Sequence, residues 1–296
     1  MFDNSLGSEI MRLRKEKNLT QKELGEEICT QATISMIEKG AIKPGLDILY
    51  LISLKLDKPI SYFANIMLNE DYPLINSIVQ ELESLTISHN YQLIYSIIKR
   101  ELSFKPKDKW YELFLHWHYF LSAYYLNFIS IDIAIERLIN LLNSKHNSIL
   151  KKDFLYDRIC NSIAILYSTN KNYEKALFFY NKINLNINDT MSPRLNHQVY
   201  KLRIIYNKAK TLYDMNSLEE SKIQIEIGIK SSINLENMSF IGSFYYYLGL
   251  IQEKLNYKKE DISHSFNKAY FFFNILDRKM YKEIMEKEHR VFLNLD

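Results

Sequence analysis

The sequence predicts an all-α protein in two parts, about five short helices within residues 1–66 and an array of longer helix pairs over 74–296, with a linker at 67–73. Three observations predict it. Only 7 glycines and 5 prolines punctuate 296 residues, too few for a strand-and-turn architecture. Apolar residues recur at helical spacing through the first part. From residue 71 onward, amphipathic helices come in pairs that repeat every 40–45 residues. With 47% hydrophobic and 25% charged residues, the chain has material for real cores and is not globally disordered.

In the first part, Ile10, Leu13, Leu24, Ile28, Ile34, Ile37, Ile48, Ile52, Leu56 and Phe63 mark the inward faces. "TQKE" at 20–23 is a capping box, in which the Thr20 hydroxyl takes a backbone amide and Glu23 reaches back. Thr30 caps the next helix in the same way. Gly40 suits a helix stop, and Pro44-Gly45 marks the following loop. Two capped helices with a turn at Cys29-Thr30 form a helix-turn-helix, whose second member runs from Gln31 to Lys39. Ile34 and Ile37 turn inward and leave Gln31, Ala32, Thr33, Ser35 and Met36 outward. Gln31 is the expected base reader, because its amide can bond adenine in a bidentate way. Thr33 and Ala32 can touch a thymine methyl, and Met36 offers apolar contact only.

The run "LRKEKNLTQKELGEEICTQATISMIEKGAIKP" and the closing "DILYLISLKLDKPISYF" resemble the Cro/repressor-type helix-turn-helix over residues 6–66. The resemblance implies phosphate contacts from Thr20, Gln21, Lys39 and Lys43, and a buried structural ion pair between Arg14 and Glu38. Residues 1–66 hold nine Lys/Arg and nine Asp/Glu, so this part is neutral. A neutral domain neutralises few phosphates on its own, which implies a dimer that adds two weak half-site contacts.

In the second part, Leu121, Ser122, Tyr125, Ala134, Leu138 and Leu141 fill one unit. Ile163, Ala164, Tyr167, Ala176, Tyr180 and Ile183 fill the next at the same offsets, followed by Lys208, Ala209, Leu212, Ser221, Ile225 and Gly228. Leu248 and Gly249 open a fourth, with Ile262, Phe266 and Ala269 displaced by one residue. An irregular pair precedes them at roughly 74–87 and 91–103. The pattern matches the tetratricopeptide (TPR) frame of small and large positions and implies a right-handed superhelix with a concave face lined by each first helix. Ser122, Ala164, Ala209 and Gly249 would let paired helices approach closely.

The offsets facing the concave side pick out His116, Tyr119 and Ala123 in one unit and Arg158, Asn161 and Ile165 in the next. Arg203, Tyr206 and Lys210 follow, then Ser243 and Tyr246. Asn161 can bond both N–H and C=O of an extended backbone, and Arg158, Arg203 or Lys210 can take a carboxylate. The set points to a peptide-sized ligand.

No HExxH, CxxC, phosphate-binding glycine loop or G-x-S-x-G occurs, so an enzyme is not expected, nor a cofactor. The imidazoles of His116 and His118 leave different helix faces, which argues against a metal site. Cys29 and Cys160 read as separate buried thiols. The N-terminus lacks an apolar signal region, and "FIGSFYYYLGLI" is too short to span a bilayer, so a cytoplasmic protein without membrane contact is expected.

A Cro-type helix-turn-helix followed by a TPR array resembles the RNPP group of peptide-responsive regulators of Gram-positive bacteria, most of all its PlcR-like branch. "LGSEIMRLRKEKNLTQKEL", "CTQATIS" and "DILYLISLKLDKPISYF" carry that likeness. It implies a homodimer on a palindromic DNA site, switched by a short signalling peptide in the concave face and raising transcription. The segment "ANIMLNEDYP" would be the hinge. The alternatives are a constitutive or phage-type dimeric regulator, whose array binds a protein or only dimerises, and a Rap-type interaction protein, which lacks the helix-turn-helix signature.

Overall fold

The computed structural model describes residues 6–69, 71–143, 147–185 and 195–294, all helix, turn or irregular chain with no strand. The chain divides into two compact units, Met1–Ser122 and Ala123–Asp296. The division falls inside one helix, α8 (Lys109–Tyr125).

The first unit opens with the five expected helices, α1 (Leu6–Glu16), α2 (Gln21–Gly25), α3 (Gln31–Glu38), α4 (Leu46–Lys55) and α5 (Ile60–Leu68). Their core is Ile10, Leu13, Leu24, Ile34, Ile37, Leu49, Ile52, Leu56, Phe63 and Ile66. Ile28 and Ile48 lie at its edge, half-buried, and Leu49 takes the central place expected of Ile48. Gly7 brings α1 against the carbonyls of Ile37 and Glu38, so closely that a Cβ would collide with them. The hinge segment is mostly helical: α5 runs to Leu68 and α6 (Tyr72–Ile87) starts at Tyr72, whose ring meets Tyr62 edge-on at 6.0 Å. Glu70 lies outside the described residues. α6 and α7 (Tyr91–Ser103) are the irregular pair, with Asn90 capping α7.

The second unit contains α9 (Ile131–Leu142), α10 (Asn147–Leu150), α11 (Leu155–Thr169), α12 (Tyr173–Asn181), α13 (Leu195–Asp214), α14 (Leu218–Asn234), α15 (Ile241–Lys254), α16 (Lys259–Ile275) and α17 (Lys279–Glu288). It is a repeat of antiparallel hairpins: α11 packs on α12, α13 on α14 and α15 on α16, and α11, α13 and α15 stack successively. Small residues set the spacing. Ala164 and Ala209 are fully buried, and the Ser221 hydroxyl donates to the Ala209 carbonyl at 2.8 Å across its hairpin. Gly249 lies under the Phe266 ring, where a Cβ would come within 2.8 Å of it; Gly228 lies under Phe244. Leu202, Ile205, Ile225, Phe244 and Ile251 fill one core, and Ile262, Phe266, Phe273 and Met285 the next.

Gly40, at φ +69°, ends α3 with no neighbour near its missing Cβ. At thirteen other described positions a non-glycine residue takes the left-handed conformation, among them Asn18, Asp57, His89, Lys105, Lys171, Glu236 and Asp277 in the turns between helices. Both cysteines are free; Cys160 is buried, whereas Cys29 is only half-buried.

Candidate nucleic-acid interface and ligand groove

Local chemistry places the recognition helix. The Thr20 hydroxyl accepts from Glu23 N at 3.1 Å while Glu23 Oε2 accepts from Thr20 N at 2.6 Å, closing the capping box on α2. Thr30 caps α3 by accepting from Thr33 N at 3.1 Å. With Ile34 and Ile37 in the core, Gln31, Ala32 and Met36 are exposed and Thr33 and Ser35 half-exposed. The Thr33 hydroxyl meets that of Thr30 at 2.9 Å, which leaves its methyl for apolar contact.

A buried ion pair ties this helix to α1. Arg14 donates from Nε to Glu38 Oε1 at 2.5 Å and from Nη2 to Oε2 at 2.9 Å, with a third bond to the Leu19 carbonyl at 2.6 Å. The hydrogen bonds to Glu38 hold the Arg14 proton more tightly than usual. The chain of bonds then runs outward: Gln21 Nε2 donates to Glu38 Oε2 and Gln31 Nε2 donates to Gln21 Oε1, each at 2.8 Å. Gln31 thus keeps its amide oxygen and one N–H, the acceptor and donor that adenine's N6 and N7 require.

The neutral sum of this part hides an uneven distribution. Arg12 pairs with Glu9 at 2.6 Å and with Glu16, Lys17 pairs with Asp57, and Arg14 is spent on Glu38. Lys22, Lys39 and Lys43 are exposed and outside every ion pair among the described residues. These free cations belong to the two helices of the motif and the loop after it, where phosphates would lie.

The groove residues fare unequally. In the first unit, His116 stacks on Phe120 at 6.0 Å, and burial lowers its pKa despite Glu112 at 4.0 Å. Tyr119 stacks on Tyr95 at 5.2 Å, their hydroxyls 3.3 Å apart. His118 is buried against Phe114 and Trp117, away from His116. Among the described residues no group of three or more metal-ligating side chains comes together.

In the second unit, Ala123 is buried and offers little surface. Arg158 and Asn161 on α11 meet α13: the Arg158 guanidinium lies 5.4 Å from the Tyr200 ring centre, and Asn207 Nδ2 donates to Asn161 Oδ1 at 3.1 Å. Arg203, on the same helix, lies 5.9 Å from the Phe240 ring centre. Asp157, beside Arg158, is pushed up to about 6 by burial, against a bond from the Asn184 backbone and the charge of Lys201. Ile165 and Ser243 are half-buried. Lys210 is exposed but bonded to Asp214 at 2.6 Å. Tyr206 is drawn among Phe240, Phe244 and Tyr247, and Tyr246 among Phe266, Phe273 and His289. The structure therefore gathers Arg158, Asn161 and Arg203 and adds Tyr200 and Asn207, which the sequence reading missed. The repeat offsets pair Asn161 with Tyr206, 45 residues on, so Asn207 stands one position outside the frame and carried no signal there.

Residues 79–294 match the RNPP family C-terminal domain, and residues 10–63 match a helix-turn-helix family. No curated protein matches the chain. Among solved structures, the chain is similar to Bacillus thuringiensis PlcR in complex with the peptide PapR7 and DNA, at 32% identity over 96% of this chain and 100% of that one, with a TM-score of 0.78. Apo PlcR from the same organism gives 30% identity, 96% and 98% coverage and a TM-score of 0.69. The fold alone is shared with the Streptococcus dysgalactiae pheromone receptor Rgg2, at 14% identity, 97% and 99% coverage and a TM-score of 0.59.

Proposed function

This chain belongs to the RNPP family, and on that premise we propose that it is a cytoplasmic transcription regulator of the quorum-sensing kind, working as a homodimer on palindromic DNA under the control of a short signalling peptide. Residues 1–66 read the DNA, 67–73 form the hinge, and 74–296 bind the peptide and dimerise. The observation that carries this reading is the anchored amide of Gln31, held through Gln21 and Glu38 with one donor and one acceptor left for a base. Ala32, Thr33, Ser35 and Met36 complete the base-facing surface, and Thr20, Gln21, Lys39 and Lys43 hold phosphates. PlcR, which aligns over nearly the whole of this chain, has been solved with DNA and peptide together and supports both partners.

The peptide lies along the first helices of the hairpins, its backbone on Asn161 and Asn207 and its acidic groups on Arg158, Arg203 or Lys210. Ile165, Tyr206, Ser243 and Tyr246, each half-buried, form its walls. Half-sites on one DNA face lie about 34 Å apart or a multiple of that. A peptide that prefers one spacing of the two recognition helices shifts the population toward the DNA-competent dimer and activates transcription.

Calorimetric titration of the purified chain with synthetic peptides from small exported reading frames beside its gene tests this. Saturation near one peptide per chain, with DNA affinity changed in its presence, is the expected result. A DNA affinity indifferent to every such peptide would leave a constitutive dimeric regulator. Gln31→Ala with Thr33→Ala is expected to abolish sequence preference at one base step, a loss of about 1–3 kcal/mol per bidentate contact.

A further inference from the structure

Besides Leu49 and Ile52 in the core, α4 carries a second set of apolar side chains on its outer face. Leu46 is 72% exposed, Tyr50 50%, Leu51 39% and Leu54 56%, and at steps of three and four residues they form one stripe along the helix. Leu46, Asp47, Tyr50 and Ile60 wall a shallow depression beside it. We infer that this stripe is a docking surface for the same stripe of a second copy of the chain, with the two α4 helices antiparallel about Leu51. The inference rests on the homodimer reading above and assigns it a face.

The stripe is self-complementary, as a two-fold contact requires. Asp47 and Lys55 each stand four residues from Leu51, near opposite ends of the helix. An antiparallel crossing sets Asp47 of each copy opposite Lys55 of the other, and seats the second copy's Leu54 at the depression. Lys55, which donates to the Glu26 carbonyl at 2.7 Å, lies at the flank of the stripe, where a rim charge belongs. The length scale agrees too. A compact domain of some 60 residues is roughly 27 Å across, so two such domains in contact place equivalent helices at distances of the order of one DNA turn.

Size limits what the contact does alone. Six side chains per copy fall far below the roughly 20–30 residues a side of a stable interface. The stripe therefore closes where the rest of the chain already holds two copies together, and adds to that hold.

Disulfide cross-linking of the full-length chain tests this. Leu51→Cys puts two thiols across the two-fold; the wild-type chain, with Cys29 and Cys160 in place, is the control, and sedimentation velocity runs alongside. A cross-linked dimer in the variant and none in the wild type is the expected result. Asp47→Lys should cut the yield roughly tenfold, the two related charge pairs contributing a few-fold each. Adding Lys55→Glu to Asp47→Lys should restore most of it, measured against Lys55→Glu alone. No cross-link in a chain that sediments as a dimer overturns this surface and leaves the homodimer standing. No cross-link in a chain that sediments as a monomer overturns both. A yield indifferent to Asp47→Lys overturns the antiparallel docking.

Discussion

Replacing Glu38 by alanine would leave the Arg14 guanidinium inside the N-terminal core without its partner. The side chains of the pair are only 10% and 2% exposed, so little water replaces the carboxylate. Arg14 would keep one bond, to the Leu19 carbonyl, and lose two charge-assisted ones. Breaking a buried pair on one side costs about 3–5 kcal/mol, against a total stability of about 5–15 kcal/mol for a whole domain. For a domain of this size each kcal/mol moves the midpoint about 4–8 °C, so a fall of at least ~12 °C is expected. Arg14→Met with Glu38→Leu removes both charges and should return to within ~1 kcal/mol of the wild type. That double variant still loses the acceptor of Gln21, so its DNA affinity should stay low although it folds. Urea unfolding, followed by hydrogen exchange of α1–α3 amides, reads the stability, and a gel shift reads the DNA. A Glu38→Ala chain within ~1 kcal/mol of the wild type, or a double variant as weak as the single one, would refute the argument.

Burial holds the Asp157 pKa at about 6 against an ordinary value of 3.8, so the folded chain binds more protons than the unfolded one between those values. Stability conferred by this group is present below pH 4 and lost as pH rises through 6. Asp157→Asn should therefore stabilise the second unit at pH 7 by about 1–2 kcal/mol, after allowing for solvent screening, and change nothing at pH 4, read by paired thermal melts. Gly228→Ala drives a methyl into the Phe244 ring and should cost about 1–3 kcal/mol in urea unfolding, with Phe244→Leu recovering part of it. Asn207→Ala removes the donor to the buried amide of Asn161; about 1–3 kcal/mol should be lost in urea unfolding, and peptide affinity should fall about tenfold by calorimetry. Unaltered affinity would remove the amide pair from the groove.

Where local chemistry decides, the residues could be read in advance. Thr20, Thr30 and Gly40 act through the backbone within a few positions, and all three stand where capping rules put them. Helix phase was legible to about one residue: at α4 both Ile48 and Leu49 are apolar, and only the packing chose Leu49. Long-range polar links were not legible. The Tyr62 hydroxyl donates to Glu9 Oε1 at 2.5 Å across 53 residues, and neither residue type announces the other. In the second unit the repeat offsets picked out Arg158, Asn161 and Arg203, which all lie near Tyr200, but could not foresee the aromatic clusters. Tyr206 meets Tyr247 edge-on at 5.6 Å, so burial of ring area claims a residue whose offset faces the concave side. Repeat spacing fixes a direction, and neighbouring rings then compete for the side chain.

The left-handed turns have an evolutionary consequence. Lysine, glutamate, histidine and phenylalanine stand where glycine would sit without strain, each at a cost on the order of 1 kcal/mol. Because many of these positions lie between successive helices, the strain is distributed along the chain and leaves no single weak point. A lineage can thus harden or soften one hairpin at a time by a single codon change at a turn, leaving the buried side chains of the core as they are.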